Sequence, residues 1–226
     1  MSTNQKIVAA LAALIIVSIL GAFGWGQYRK VAVGSEVTEL ATDSGKRLRE
    51  ALGIRLDPAL AGRPDVHATL EAHAAAMSRH LARFESLDVS RIRMLGYAAG
   101  EYLSAAHGIV RLQASSHKLH ARLADATQVL KAHFGRVGQR RGDWINEAMR
   151  RKELLDRASA EYRRSIEAYE NMLENFPAAQ AELARELGPA VAIDRALIDK
   201  ARKNAQDEAA RAAEAVVRAR QLAVTR

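Results

Sequence analysis

From Ile7 to Trp25 the chain reads IVAALAALIIVSILGAFGW, 19 residues without a charge. A helix over this run is about 28 Å long at 1.5 Å per residue, which matches the hydrocarbon core of a bilayer. Trp25 and Tyr28 then stand where aromatic side chains favour the membrane–water interface, with Arg29 and Lys30 directly after them. The pattern predicts a short tail over residues 1–6 and a single transmembrane signal anchor over 7–28, with membrane lipid as its first partner. Ala22-Phe23-Gly24 has the small-x-small spacing of a processing site, so a cleaved signal peptide is the competing reading. Lys6 and the free amino group on one flank nearly balance Arg29 and Lys30 on the other. A short tail ahead of one anchor most often stays in the cytoplasm. The expected location is therefore the cytoplasmic (inner) membrane of a bacterial cell, single-pass, with the body periplasmic or extracytoplasmic.

Beyond the anchor the chain has room for one further domain of ordinary size. Hydrophobic residues make up 49% of the chain but aromatics only 5%, and there are four prolines. The apolar mass is thus Ala, Leu, Val and Ile in a mixture that favours helix. Absence of cysteine excludes disulfides, thiolate metal sites, covalent haem and a cysteine nucleophile. The formal charge is +8, of which three charges flank the anchor. The remaining excess is modest, and both signs alternate as on a solvated helix surface.

The spacing predicts an all-α body. Residues 29–64 read as a stalk helix continuing the anchor, with Val37, Leu40, Ala41, Leu48 and Leu52 on one side and Ser35 as its cap, then a Gly/Pro loop from 53 to 64. Residues 65–226 read as an elongated antiparallel helical bundle with coiled-coil-like packing. Its first helix, capped by Asp65, repeats Leu70, Met77 and Phe84 with Ala74 and Leu81. The longest helix opens at Asp88 or Ser90. Leu95, Ala98, Tyr102, Ala105, Ile109, Leu112, Ser116, Leu119, Leu123, Ala126 and Leu130 then alternate three and four apart. Asp143 caps the next helix, with Ile145, Ala148, Leu155, Tyr162, Ile166, Tyr169, Leu173 and Phe176 in register until Pro177 interrupts it. A last seam runs through Ile198, Ala201, Ala205, Ala212, Ala215, Ala219 and Leu222.

The candidate sites are few. His73 and His80 flank one stripe, and His117 and His120 stand i,i+3, a spacing at which two imidazoles can share a metal. There is no Glu-x-x-His pair and no Cys-x-x-Cys-His. The expectation is therefore no metal and no cofactor, with the histidines facing solvent or flanking seams. Arg136, Arg140, Arg141, Arg150, Arg151 and Lys152 surround Trp144 in the densest basic stretch, a candidate contact for an anion or a lipid headgroup. Arg141-Gly142-Asp143 and Gly135-Arg136-Val137-Gly138 spell an adhesion tripeptide and a nucleic-acid-binding loop. Both are short enough to arise by chance, and the strands that a KH domain needs are not predicted. Tyr162, Tyr169 and Phe176 read as core. No Gly-x-Ser-x-Gly elbow or His-Glu-x-x-His helix occurs.

These readings predict no enzyme. They point to a membrane-anchored helical scaffold or adaptor that meets a protein partner, or a second copy, through its seams. The alternatives are a small-ligand sensor bundle and a cytoplasmic-face binder of anions or nucleic acid, the nucleic acid being disfavoured by the mixed charge.

Overall fold

The computed structural model describes residues 3–57, 63–135 and 143–224, with side chains from 27 to 221. The described residues form five α-helices, α1 (Thr3–Gly53), α2 (Pro64–Glu85), α3 (Arg93–Gly135), α4 (Trp144–Leu187) and α5 (Arg195–Val224). Single 3-10 turns at Val89–Arg91 and Pro189–Val191 complete the elements. Among the residues with described side chains no helix is long and apolar enough to cross a membrane. The apolar run 7–25 and Trp25 lie on the helical backbone of α1, and their side chains fall outside that description.

Cross-helix pairs set the topology. Glu36, Asp43 and Glu50 of α1 meet Arg83, His80 and His73 of α2, so these two helices are antiparallel. Tyr102, Ser116, His120 and His133 of α3 meet Phe176, Ser165, Tyr162 and Trp144 of α4. Glu174, Glu170 and Asp156 of α4 meet Arg202, Gln206 and Arg220 of α5. The chain therefore runs up, down, up, down, up. Because α1 ends at the height of Gln113, whose Nε2 donates to the carbonyls of Ala51 and Ile54 at 2.8 and 2.9 Å, the bundle has five helices below that level and three above it.

The second half of α1 is built into this core: Val37, Ala41, Leu48 and Ala51 are fully buried, together with Ser44. Leu70 and Met77 of α2 are buried, with Ala74, Leu81 and Phe84 packed beside them as the sequence pattern predicts. On α3 the expected stripe is widened. Leu112, Leu119 and Ala126 are only partly covered, whereas Gln113, Ala114, His117, His120 and Thr127 are buried. A seven-residue repeat reports a helix with one partner. Helix α3 packs against all four of the others, so it buries more than one face. At the other extreme Ile145, expected on the α4 seam, is 67% exposed, because it lies on the first turn of α4, beyond the reach of α1 and α2.

The helix ends depart locally from the capping pattern. Helix α2 starts at Pro64, a residue pre-set for the first turn, and Asp65 lies inside that turn and takes two hydrogen bonds from Arg63. The Asp88 carboxylate caps only a 3-10 turn, accepting from the Ser90 N–H at 3.2 Å, and α3 begins after it. The Asp143 carboxylate accepts from the Asn146 amide rather than from the backbone. Pro177 does not interrupt α4, which runs through it to Leu187. Proline removes one ladder bond, but Leu173, Phe176 and Leu183 on either side are 0 to 1% exposed, and their burial holds the helix together. Gly188 ends it with φ 78°, a left-handed conformation that glycine adopts without a Cβ clash.

Candidate functional site

The step from five helices to three is where buried polar groups gather. His117 and His120 of α3 are 1% and 4% exposed, Tyr162 of α4 is 2% exposed, and Glu208 of α5 is 1% exposed. The His120 and Tyr162 rings stack at 4.9 Å between centroids. Glu208 Oε1 pairs with the exposed Arg211 at 2.9 Å. The buried atoms of this group without a hydrogen-bond partner include His120 Nδ1, Tyr162 Oη and Glu208 Oε2. Each such atom costs about 1 to 3 kcal/mol if left unmatched, a large sum against the stability of an ordinary domain.

The segment after α1 closes the lower side of this cluster. Asn204 of α5 holds Leu56 at both backbone atoms, accepting its N–H at 2.8 Å, and Leu56 is 1% exposed. This places Asp57 close enough to act electrostatically on His117, His120 and Glu208, while His67 of α2 acts on His117. Burial dominates these interactions. It holds the His117 imidazole down to about 4 and the His120 imidazole below its ordinary range, so both rings are neutral at physiological pH. Burial also pushes the Tyr162 hydroxyl and the Glu208 carboxyl up, the latter against the pull of Arg211.

Above the step α1 and α2 no longer cover the groove between α3 and α5. A cleft of about 280 Å³ opens there, lined by His120, Leu123, Ala124, Thr127, Gln128, Lys131, Arg211, Ala212 and Ala215. Its walls are apolar, its inner end is His120, and its cations are Lys131 and Arg211.

His73 and His80 serve the lower bundle. His80 bonds the Ser44 hydroxyl through Nδ1 at 2.9 Å and faces Asp43 through Nε2 at 3.2 Å, and His73 faces Glu50 at 3.8 Å, so both tie α2 to α1. The four candidate histidines are not brought together, and among the described residues no three His, Asp or Glu side chains could hold a metal ion. The expectation that the histidines face solvent or flank seams fits His73 and His80 and fails for His117 and His120, which the added neighbours of α3 enclose.

Arg136, Arg140 and Arg141 of the basic stretch lie outside the described residues. Arg151 is engaged, donating to Glu147 at 2.8 Å and to the Val129 carbonyl at 3.4 Å, while Arg150 and Lys152 are exposed. Trp144 stacks on His133 at 4.9 Å and meets the Phe134 ring edge-on at 5.3 Å, closing that end of the bundle. The end so closed is the far one from the N-terminal half of α1. Arg29 and Lys30 instead line a cleft at the near end with Arg83, Asp88 and Arg91. Tyr28 is 66% exposed there.

Tyr162 and Glu208 were not legible as site residues from any motif. One signal was present for Glu208: it falls between Ala205 and Ala212 on the α5 seam, where the three-and-four spacing calls for an apolar residue. No protein-family model matches the chain, and no match emerges among curated proteins or solved structures.

Proposed function

We propose that the chain is a non-enzymatic, single-pass membrane protein of the cell envelope, anchored through residues 7–28, that holds a helical rod upright and presents its far end to an acidic protein partner. One observation carries this reading. The large exposed apolar side chains lie at the two ends of the rod: Tyr28, Val31, Met94 and Tyr97 near α1's entry, and Ile145, Met149, Leu154 and Val217 toward the far end. A tall helical body whose flanks are polar and whose ends are apolar fits a spacer between a lipid surface and a partner. Among the described residues the far end is also basic, with Lys131, Arg150, Arg151 and Lys152 against Asp143 and Glu147, which opposes self-association there and attracts an acidic surface. The near-end placement of Arg29, Lys30 and Tyr28 supports anchoring by the run that precedes them. We place the body outside the cytoplasm, because a short tail before one anchor most often stays in the cytoplasm.

A photo-crosslinking residue at Met149, compared with one at the exposed flank position Arg163, tests this in membranes of the native host. The expected result is one acidic protein joined at 149 and none at 163, with the adduct lost in an Arg150→Gln, Lys152→Gln variant. No adduct at 149, or the same adducts from both positions, would end the proposal. The small-ligand sensor is the second reading, favoured by the cleft beside His120.

A further inference from the structure

At the near end of the rod the turn from α2 into α3 folds against α1 and leaves a cleft of about 290 Å³. Four cations line it: Arg29 and Lys30 from α1, Arg83 from the last turn of α2 and Arg91 from the 3-10 turn. Two carboxylates answer them. Glu36 accepts from Arg83 Nε, which ties α1 to α2, and Asp88 lies close enough to Arg91 and Arg29 for both to act on it electrostatically. Asp88 is itself held by the Ser90 N–H at 3.2 Å. Lys30 and Arg91 are exposed and form no direct ion pair among the described residues. The cleft thus keeps an excess of two positive charges. Its floor is apolar, since Val33, Leu87 and Ile92 are half-buried against the core, so an anion there is attracted more strongly than on an open surface. Cations gathered from three elements onto one such floor repel each other, and a bound anion reverses that cost.

The height of the cleft along α1 says where that anion comes from. Arg29 and Lys30 stand four and five residues beyond Trp25, the last of the uncharged run, or about 6 to 8 Å of helix rise. The polar layer of each leaflet is about 5 to 8 Å deep, so with residues 7–28 in a bilayer both side chains start at the level of the lipid phosphates. A zwitterionic headgroup brings its own cation into this cluster, whereas an anionic one brings only the matching charge. We infer that the cleft seats the phosphate of an anionic phospholipid from the surrounding leaflet, held by Arg29, Lys30 and Arg91. This rests on the anchoring reading and deepens it: the near end of the rod selects a lipid as well as a depth.

The test uses the full chain. Flotation with pure phosphatidylcholine vesicles reads anchoring alone, and wild type and a Lys30→Gln, Arg91→Gln variant should both float. In neutral detergent micelles holding equimolar phosphatidylcholine and phosphatidylglycerol, mass spectra of the intact protein–lipid complexes then read which lipid is retained. The expected result is one retained lipid per chain, with phosphatidylglycerol preferred by about tenfold or more. The variant should lose most of that preference, because each cation near an anionic surface is worth about fivefold in affinity. Arg163→Gln, Arg164→Gln, an equal loss of charge on the exposed flank of α4, should keep it. Glycerol phosphate in about tenfold excess should not displace the lipid; displacement would make a soluble phosphate the ligand and overturn the lipid as occupant. A chain that floats yet retains both lipids equally, or whose preference survives in the Lys30→Gln, Arg91→Gln variant, overturns this inference and leaves the anchoring standing. A chain that does not float overturns both.

Discussion

His117 is 1% exposed, and burial holds its imidazole down to about 4, whereas in the unfolded chain the ring titrates near 6.5. The unfolded state therefore binds a proton that the folded state refuses. A depressed folded value means that stability is fully present above 6.5 and is lost as pH falls toward 4. At full slope each pH unit is worth about 1.4 kcal/mol, and because the unfolded ring is only half protonated at 6.5 and the folded ring begins to protonate by 4.5, His117 alone should remove about 2.2 kcal/mol between pH 6.5 and 4.5. His120 is shifted the same way and adds to the loss. Glu208 is shifted up and works in the opposite direction, gaining stability as it protonates, and Asp57 and His67 also face the cluster. The contribution of His117 is isolated by His117→Leu, which keeps an apolar side chain of similar size and removes the titration. Urea unfolding of the body, followed by far-ultraviolet ellipticity at pH 7.5 and 4.5, gives the two differences. Wild type should lose about 2 to 3 kcal/mol more than the variant on acidification, whatever the packing cost of leucine at neutral pH. Parallel losses in the two proteins would mean that His117 titrates normally and is not enclosed.

Leu123→Ala should cost about 2 to 5 kcal/mol and Leu119→Ala distinctly less, since Leu123 is 3% exposed and Leu119 only partly covered; thermal unfolding of both variants makes the comparison. A Cβ at position 45 would meet Tyr102 Oη at 2.7 Å, so Gly45→Ala should destabilise by about 1 to 3 kcal/mol. Tyr102→Phe, although it gives up the 3.1 Å bond to the Val191 carbonyl, should relieve most of that clash, which a double-mutant cycle measures as favourable coupling. Glu208→Met should stabilise the body at pH 7 by about 1 to 3 kcal/mol, because a buried carboxylate with an unpartnered oxygen is replaced by an apolar side chain.

The helices of the body were legible because its apolar residues recur at three-and-four spacing, and α2 keeps the predicted stripe through Leu70, Ala74 and Met77. Periodicity resolves one face per helix and cannot say how many neighbours a helix has. That is why the enclosure of Gln113, His117 and His120 on α3 had to come from the tertiary arrangement. The same limit hid the role of the segment 29–52, which reads as a free stalk until α2 and α3 are placed against Val37, Ala41 and Leu48. Pro177 marks a missing hydrogen bond in any helix, but whether the helix survives it depends on the burial of Phe176 and Leu183 on either side. The unpartnered carboxylate of Glu208 was half legible, as a charge on an alanine seam. Its companions Tyr162 and His120 come from different helices, and only the bundle brings them to it.

The chain has no cysteine, so a single introduced thiol carries a dye at a known height. From Val31 up to Gly45 on α1, and from Tyr102, which faces Gly45, up to His133 on α3, the rise along the rod totals about 70 Å at 1.5 Å per residue. Position 149 on the first turns of α4 lies near that upper height, close to the stacked pair of His133 and Trp144. Energy transfer from a dye at Val31→Cys or at Met149→Cys to acceptor-labelled headgroups in nanodiscs reads both heights in one experiment. An upright rod anchored through residues 7–28 gives strong transfer from 31 and almost none from 149. Strong transfer from both would lay the basic hairpin on the lipid, and none from either would leave the apolar segment outside the bilayer.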